Sequence, residues 1–247
     1  MTNHEIFYQL HHQAKPLLLG NAWNAKSAQL IEKAGFAAVG TSSGAIADSL
    51  GYADGEKIPF RELLYIVQRI KSSTTIPLSV DMERGYADDL NLLNQYIQQL
   101  ADIGVSGINI EDAQGEDAYL RKLYSIKNYL LKTNQQLFIN ARTDGFLQKL
   151  DAPLELTLKR AKLYQDAGAD GLFVTAIQDT ETIKAITASS TLPLNVVGVP
   201  ALPAIEILEA CGVKRISMAV FLYKAAYNHV ADISRNINDQ YSFTPLY

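Results

Sequence analysis

The sequence has a single cysteine, Cys211, and a single tryptophan, Trp23. One cysteine allows no intrachain disulfide and no cysteine-based metal cluster. Histidine is scarce as well. His4, His11, His12 and His229 are the only four, and none stands where the other polar residues collect, which argues against a zinc hydrolase. No apolar run approaches the roughly 20 residues of a membrane span. The opening segment Met1 to Phe7 lacks a basic stretch followed by an apolar one. An excess of one charge sign is also missing: the formal net charge is -4 and the pI is near 5.6. Both signs are spread along the chain, so neither nucleic acid nor an anionic membrane is expected as a partner. A cytoplasmic protein is the expectation. Without a Pro-rich linker, a low-complexity tract or a self-similar repeat, the chain predicts a single domain over 1–247.

What is present is a strong alternation. With 48% hydrophobic residues in 247, the chain can bury a substantial core. Short apolar runs bounded by turn residues predict strands near 16–20, 37–42, 76–82, 107–112, 137–143, 171–176, 193–198 and 215–220. Helical-period stretches lie between them, near 25–34, 60–73, 88–103, 118–133, 153–167, 179–189 and 201–211, with another at 221–237. Gly35, Gly104, Gly168 and Gly212 each follow a helical stretch, as left-handed C-terminal glycines do. Eight strand-then-helix units with short connections predict a parallel (β/α)8 barrel of the TIM type. A doubly wound sheet would carry a Gly-rich first turn, and Gly20-Asn21-Ala22-Trp23-Asn24 is not one. The stretch 1–14 predicts an extra helix outside the eight units.

The chemistry centres on Pro77-Leu78-Ser79-Val80-Asp81-Met82-Glu83-Arg84-Gly85-Tyr86, an apolar run ending in two acids. In a strand, residues two apart share a face, so Asp81 and Glu83 are expected to point the same way. Adjacent carboxylates repel unless a cation lies between them, one stays protonated, or a basic side chain intervenes. A barrel carries its site at the C-terminal strand ends. There the sequence offers Thr41, Ser42 and Ser43, with Asp54 on the following loop; then Asp81 and Glu83, Asn109 and Glu111, Asn140 and Arg142, Thr175, Asn195 and Ser217. Four of these are acids, Asp54, Asp81, Glu83 and Glu111, and Arg142 is the one cation at the strand ends. An oxygen-only donor set suits a hard divalent ion, Mg²⁺ or Mn²⁺ in its place.

Each residue also has a plainer reading. A strand-ending Asp commonly caps the next helix. Arg142 serves structure alone if it only pairs with Asp112 or Asp144, and Ser42 and Ser43 suit a turn. Trp23 either lines a substrate pocket or plugs the barrel mouth. Tyr119, Tyr124 and Tyr129, five apart, form no helical stripe and read as scattered surface or interface aromatics. Cys211 reads as a small buried hydrophobe at the closed end. Convergence from several strands carries the functional case.

Several stretches together resemble the isocitrate lyase/phosphoenolpyruvate mutase superfamily. They are Gly20 to Ala25, Thr41 to Gly44, Ser49 to Gly55, Asp81 to Tyr86, Gly107 to Asp112 and Ile139 to Asp144, and the match runs in order from about 16 to 230. The resemblance implies a barrel, often a homodimer or homotetramer that swaps its last helix. It implies Mg²⁺ held largely through water by Asp81, Glu83 and Glu111, with Asp54 farther out. It also implies that Arg142 and Thr41 to Ser43 hold substrate oxygens, that Asn195 faces the distal part, and that Arg142, Asp54 and Glu111 take part in catalysis.

Departures narrow the reaction. The lyases carry a catalytic Cys in a Lys-Lys-Cys-Gly-His loop, and the mutases use a Lys and an Asn there. The segment Asp112 to Lys122 has neither and reads as shortened, while Thr175 stands where the family has a Glu. Its only candidates for a mobile acid are Tyr119 and Lys122, and the plainer expectation for both is a solvated helix residue. The expectation is a Mg²⁺-dependent lyase on a small 2-oxo or 2-hydroxy carboxylate, oxaloacetate-like, cleaving carbon–carbon bonds or decarboxylating. The alternatives are a carbon–phosphorus enzyme of the phosphonopyruvate type and a degenerate, non-catalytic barrel that binds ligand.

Overall fold

The computed structural model describes residues 1–247. Eight parallel strands close in sequence order: β1 (Leu17–Ala22), β2 (Val39–Thr41), β3 (Leu78–Asp81), β4 (Gly107–Glu111), β5 (Phe138–Thr143), β6 (Gly171–Val174), β7 (Leu194–Val197) and β8 (Val213–Ser217). The helices are α1 (Asn3–Leu10), α2 (Ala25–Lys33), α3 (Ser43–Ser49), α4 (Phe60–Lys71), α5 (Leu90–Asp102), α6 (Glu116–Thr133), α7 (Pro153–Asp166), α8 (Thr180–Ser189), α9 (Ile205–Ala210) and α10 (Phe221–Gln240). This is the (β/α)8 barrel that the alternation predicts. No helix is long and apolar enough to cross a membrane.

The period of two in the strands divides the molecule. Val80, Ile108, Ile110, Ile139, Ala141, Leu172 and Val174 belong to the large apolar cluster between sheet and helices. Their neighbours Asp81, Asn109, Arg142 and Phe173 line the cavity at the strand ends instead. Opposite pointing of successive side chains produces this split. The four predicted helix-ending glycines all have positive φ, from 79° to 92°.

Several details differ from expectation. The strand expected at 215–220 runs from Val213 to Ser217, because Met218 to Val220 already turn into α10. The strand expected at 37–42 shortens to Val39–Thr41. Ser42 and Ser43 do not sit in a simple turn: Ser42 caps the extra short helix α3, accepting from the Ala45 N–H at 3.4 Å.

The N-terminal end of the barrel is plugged from inside the chain. Phe7 of α1 joins Leu17, Leu19, Ala38 and Phe138 in a second apolar cluster. Gly107 makes room for it: a Cβ there would lie 2.8 Å from the Phe7 ring. His11, just after α1, is 1% exposed and stacks on Phe138 at 4.1 Å. Its Nδ1 donates to the Phe7 carbonyl at 2.7 Å, which fixes Nε2 as the buried, unpartnered acceptor.

Burial, helped by the nearby Arg215 guanidinium, pushes the His11 pKa down to about 3 from an ordinary 6.5. The unfolded chain therefore binds a proton that the folded chain refuses between those two values. The stability so contributed is complete above pH 6.5 and lost as pH falls toward 3, by about 1.4 kcal/mol per pH unit for one proton. Urea unfolding of the natural protein and His11→Gln between pH 7 and 4.5 should show a shallower acid loss in the variant, by close to one proton.

Candidate active site

The C-terminal strand ends surround a cavity of about 780 Å³. Its floor is polar, with Asp81, Asn109 and Arg142 from β3, β4 and β5, Thr41 to Ser43 from the junction of β2 and α3, and Asp54 from the following loop. The outer wall is apolar, formed by Phe173, Ile177, Val197 and Val199, with Phe221 and Tyr223 from α10.

Asp81 ends its strand without capping a helix, since Asp89 caps α5. Its Oδ2 accepts from the Ser43 hydroxyl at 2.8 Å, and its backbone N–H donates to Thr41 Oγ1 at 2.9 Å. Both contacts tie the acid to the β2–α3 junction. As the first two residues of α3, Ser43 and Gly44 have N–H groups without intrahelical acceptors, suited to carboxylate oxygens.

Glu83 departs from the shared-face expectation. β3 stops at Asp81, and Glu83 has a left-handed backbone with φ of 46°, so strand parity no longer applies to it. The residue is 4% exposed and lies outside the cavity wall. Oε1 accepts from the Tyr86 hydroxyl at 2.6 Å, and Oε2 from the Glu56 N–H at 2.6 Å. Glu56 returns the contact by accepting the N–H groups of Arg84 and Tyr86 at 2.9 and 2.8 Å. Glu56 and Tyr86 are left-handed too, each with φ of 60°. Three such residues cost roughly 1–3 kcal/mol apiece. Hydrogen bonds to a carboxylate contribute about 1.5–3 kcal/mol each, enough to hold the strained clasp together. Sequence reading missed Glu56 and Tyr86 as a unit, because nothing in local spacing pairs residues thirty apart.

Arg142 spans two acids. Nε and Nη2 donate to Asp144 at 2.8 and 2.9 Å, and Nη1 reaches Glu111 Oε2 at 3.0 Å. Three of its five N–H groups are thereby engaged, which leaves two for a ligand. Asp144 also accepts from Thr175 Oγ1 at 2.7 Å. Asp112 belongs to a buried bracket behind the site, where it accepts from Tyr164 at 2.6 Å and pairs with Arg160 at 2.8 Å. Burial opposes charge on Arg142, but the Asp144 hydrogen bonds and the charges of Glu111 and Asp144 hold its pKa up.

The remaining expected residues fall in different places. Trp23 lies past the end of β1 and packs behind the wall, 5.3 Å from Tyr223 and 6.3 Å from Tyr227. Those two tyrosines, one helical turn apart on α10, line the cavity themselves. Asn195 lies below the cavity, 1% exposed. It pairs in register with Phe173, but strand tilt makes a hydrogen-bonded row descend around the barrel, so β7 presents Val197 to the cavity instead.

Tyr119 and Lys122 are both buried and hydrogen-bonded. The connection after β4 is only 112–115, so both lie in the first turns of α6 facing inward. Tyr119, 2% exposed, donates to the Ile110 carbonyl at 2.9 Å, and Lys122 donates to the Arg84 carbonyl and Gln114 at 2.7 Å each. Tyr119 is therefore no surface aromatic. Tyr124 is exposed, and Cys211 is buried at the closed end as expected.

The acids are short of positive charge. Burial pushes Glu83 up to about 7 against the Tyr86 hydrogen bond, with Asp81 and Asp54 adding to the rise. Burial likewise raises Glu111 to about 7 despite Arg142, with Asp81, Asp144 and Glu83 adding. An all-oxygen donor set with this excess of negative charge fits a hydrated divalent ion. No three acidic, histidine or cysteine side chains converge closely enough to ligate one ion directly. Asp81 and Asp54 reach the cavity, and Glu83 and Glu111 would act through water.

The fold and sequence match known proteins. The sequence profile of the phosphoenolpyruvate phosphomutase family matches residues 7–238, and the chain belongs to the isocitrate lyase/phosphoenolpyruvate mutase superfamily. Relatives include an uncharacterized protein of Mycobacterium tuberculosis, 33% identical over 94% of this chain and 89% of its own. An oxaloacetate decarboxylase of Bradyrhizobium sp. is 30% identical over 73% of this chain and 66% of its own. Among solved structures, a provisionally assigned phosphonomutase of Burkholderia cenocepacia J2315 superposes with a TM-score of 0.89 at 34% identity, covering 94% of this chain and 99% of the other.

Proposed function

We propose that the chain is a Mg²⁺-dependent lyase that breaks a carbon–carbon bond in a small 2-oxo or 2-hydroxy carboxylate, oxaloacetate-like at its reacting end. The observation that carries this reading is the guanidinium of Arg142 on a cavity floor with Asp54 and Asp81, and with Glu83 and Glu111 held beside it. A bound Mg²⁺, or Mn²⁺, supplies a Lewis acid for the oxyanion that develops.

The chain's own residues do the rest. The two free N–H groups of Arg142 and the N–H groups of Ser43 and Gly44 would orient the carboxylate and the C2 oxygen. In a 2-oxo acid, when the C3–C4 bond breaks, C4 leaves as CO₂, the bond's electron pair forms the C2–C3 double bond, and the C2 carbonyl π pair moves onto its oxygen. Arg142, locked by Asp144 and Glu111, is aimed before that charge appears, so little reorganisation is required. The apolar wall around Phe173 and Val197 excludes water from the departing group.

Decarboxylation is favoured over aldol-type cleavage, because Tyr119 and Lys122 are sealed into the barrel wall and cannot protonate a leaving carbanion. The enolate left by loss of CO₂ can take its proton from water. Curated relatives named oxaloacetate decarboxylase support the same choice. The phosphonopyruvate reading finds less support, since the 112–115 connection has no room for a gating Lys and Asn.

We also propose a homodimer or homotetramer that covers α10. In its twenty residues only Tyr223 is buried, while Phe221, Tyr227 and Val230 are 41–57% exposed. Val230→Asp should shift the mass measured by light scattering toward a single chain; an unchanged mass would place the interface elsewhere.

For the reaction, pyruvate release from oxaloacetate and from 2-hydroxy acids should exceed the metal-only background with Mg²⁺ present. Asp81→Asn should lower kcat by at least about a hundredfold, the range for loss of one preorganised electrostatic group. Equal turnover in the variant would contradict the assignment of Asp81.

A further inference from the structure

Beneath the cavity floor, the barrel encloses a guanidinium with no carboxylate partner. Arg215 of β8 has 0% exposure, and neither its Nε nor its Nη1 has a hydrogen-bond partner. Its one hydrogen bond runs from Nη2 to Asn109 Oδ1 at 3.2 Å. The Phe7 ring lies 6.0 Å from its Cζ, on the plugged side. An isolated buried charge is costly unless the surroundings use it.

Asn109 is where that charge meets the site. Its Oδ1 also accepts from Asn140 Nδ2 at 2.9 Å, so two donors hold the same oxygen. A guanidinium only donates, which removes the usual ambiguity in placing an amide's oxygen and nitrogen. With the oxygen turned down to Arg215, the Asn109 NH₂ must face the other way. Asn109 lines the cavity, and no protein acceptor takes that NH₂. Asn21, the other asparagine on the strand floor, differs: its Nδ2 donates to the Thr41 carbonyl at 2.8 Å and its Oδ1 accepts from the Met218 N–H at 2.8 Å. Asn21 is spent on the scaffold.

We infer that Asn109 is a binding residue of the site, donating its NH₂ to an oxygen of the bound carboxylate, and that Arg215 is the positioning residue that sets this orientation. The inference rests on the carboxylate reading given above. Asn109 stands in register between Asp81 on β3 and Asn140 on β5, and Glu111, two residues on, pairs with Arg142. A carboxylate at the floor thus meets a neutral donor between the acids and the cation. The buried charge of Arg215 acts along the same line, drawing negative charge toward the floor.

Side-chain amide NMR of the ¹⁵N-labelled full chain tests this. The Asn109 NH₂ pair is identified by its loss in Asn109→Asp, a variant that keeps Arg215 partnered. On titration with oxalate in the presence of Mg²⁺, the Asn109 pair should move and the Asn21 pair should stay. Arg215→Met should weaken oxalate binding roughly three- to tenfold, the size of one neutral hydrogen bond, and Arg215→Lys should recover part of it. An Asn109 pair that stays still while the natural protein saturates with oxalate overturns the inference alone, as does Asn109→Asp binding within about twofold of the natural protein, less than one hydrogen bond supplies. A natural protein that binds no oxalate with Mg²⁺ overturns the carboxylate reading and this inference together.

Discussion

Negative charge gathered at the ends of β3 and β4 is the constraint on which the site depends. Asp81 and Asp54 face the cavity, Glu83 and Glu111 are held beside it, and burial has raised the last two to near-neutral pKa values. Arg142 is the only guanidinium at this level, and Asp144 and Glu111 share it. Left alone, such a cluster protonates in part or binds a cation. Each nearby feature serves to keep these carboxylates in place: the Ser43 and Thr41 contacts at Asp81, the Glu56–Tyr86 clasp on Glu83, and the Asp112–Arg160–Tyr164 bracket behind β5.

The scaffold explains how so much polarity is tolerated inside a barrel. The Phe7 plug and its aromatic partners seal the N-terminal end against water. Helix-facing strand residues supply the apolar core, which frees the inward positions for Asn109, Asn140, Asn195 and Arg215. Opposite ends of the same strands thus carry stability and chemistry separately, as barrels of this type allow.

Much of this could be read from the chain. The alternation announced eight units, and the acids at 81, 83 and 111 with Arg142 marked the strand ends that the structure brings together. What could not be read depended on three dimensions. Shear put Asn195 beneath the cavity although its place along β7 resembled that of other site residues. A left-handed φ at Glu83 broke the parity argued from strand spacing. Burial of Tyr119 and Lys122 followed from α6 starting immediately after a four-residue turn, and the Glu56–Glu83 clasp joins segments far apart in sequence. The Asn109–Arg215 bond joins residues 106 apart, on strands separated by half the barrel.

The most direct test of a carboxylate site assembled around a divalent ion is a thermal-shift titration with Mg²⁺, oxalate and both together, on the natural protein and on Asp81→Ala. A ligand that binds only the folded state raises its melting point by mass action. The structure predicts a stabilisation that needs both ligands and vanishes in Asp81→Ala. No joint stabilisation of the natural protein would contradict it and favour a barrel that has kept the fold without the metal-dependent chemistry, and an equal one in the variant would contradict the place of Asp81 in the site.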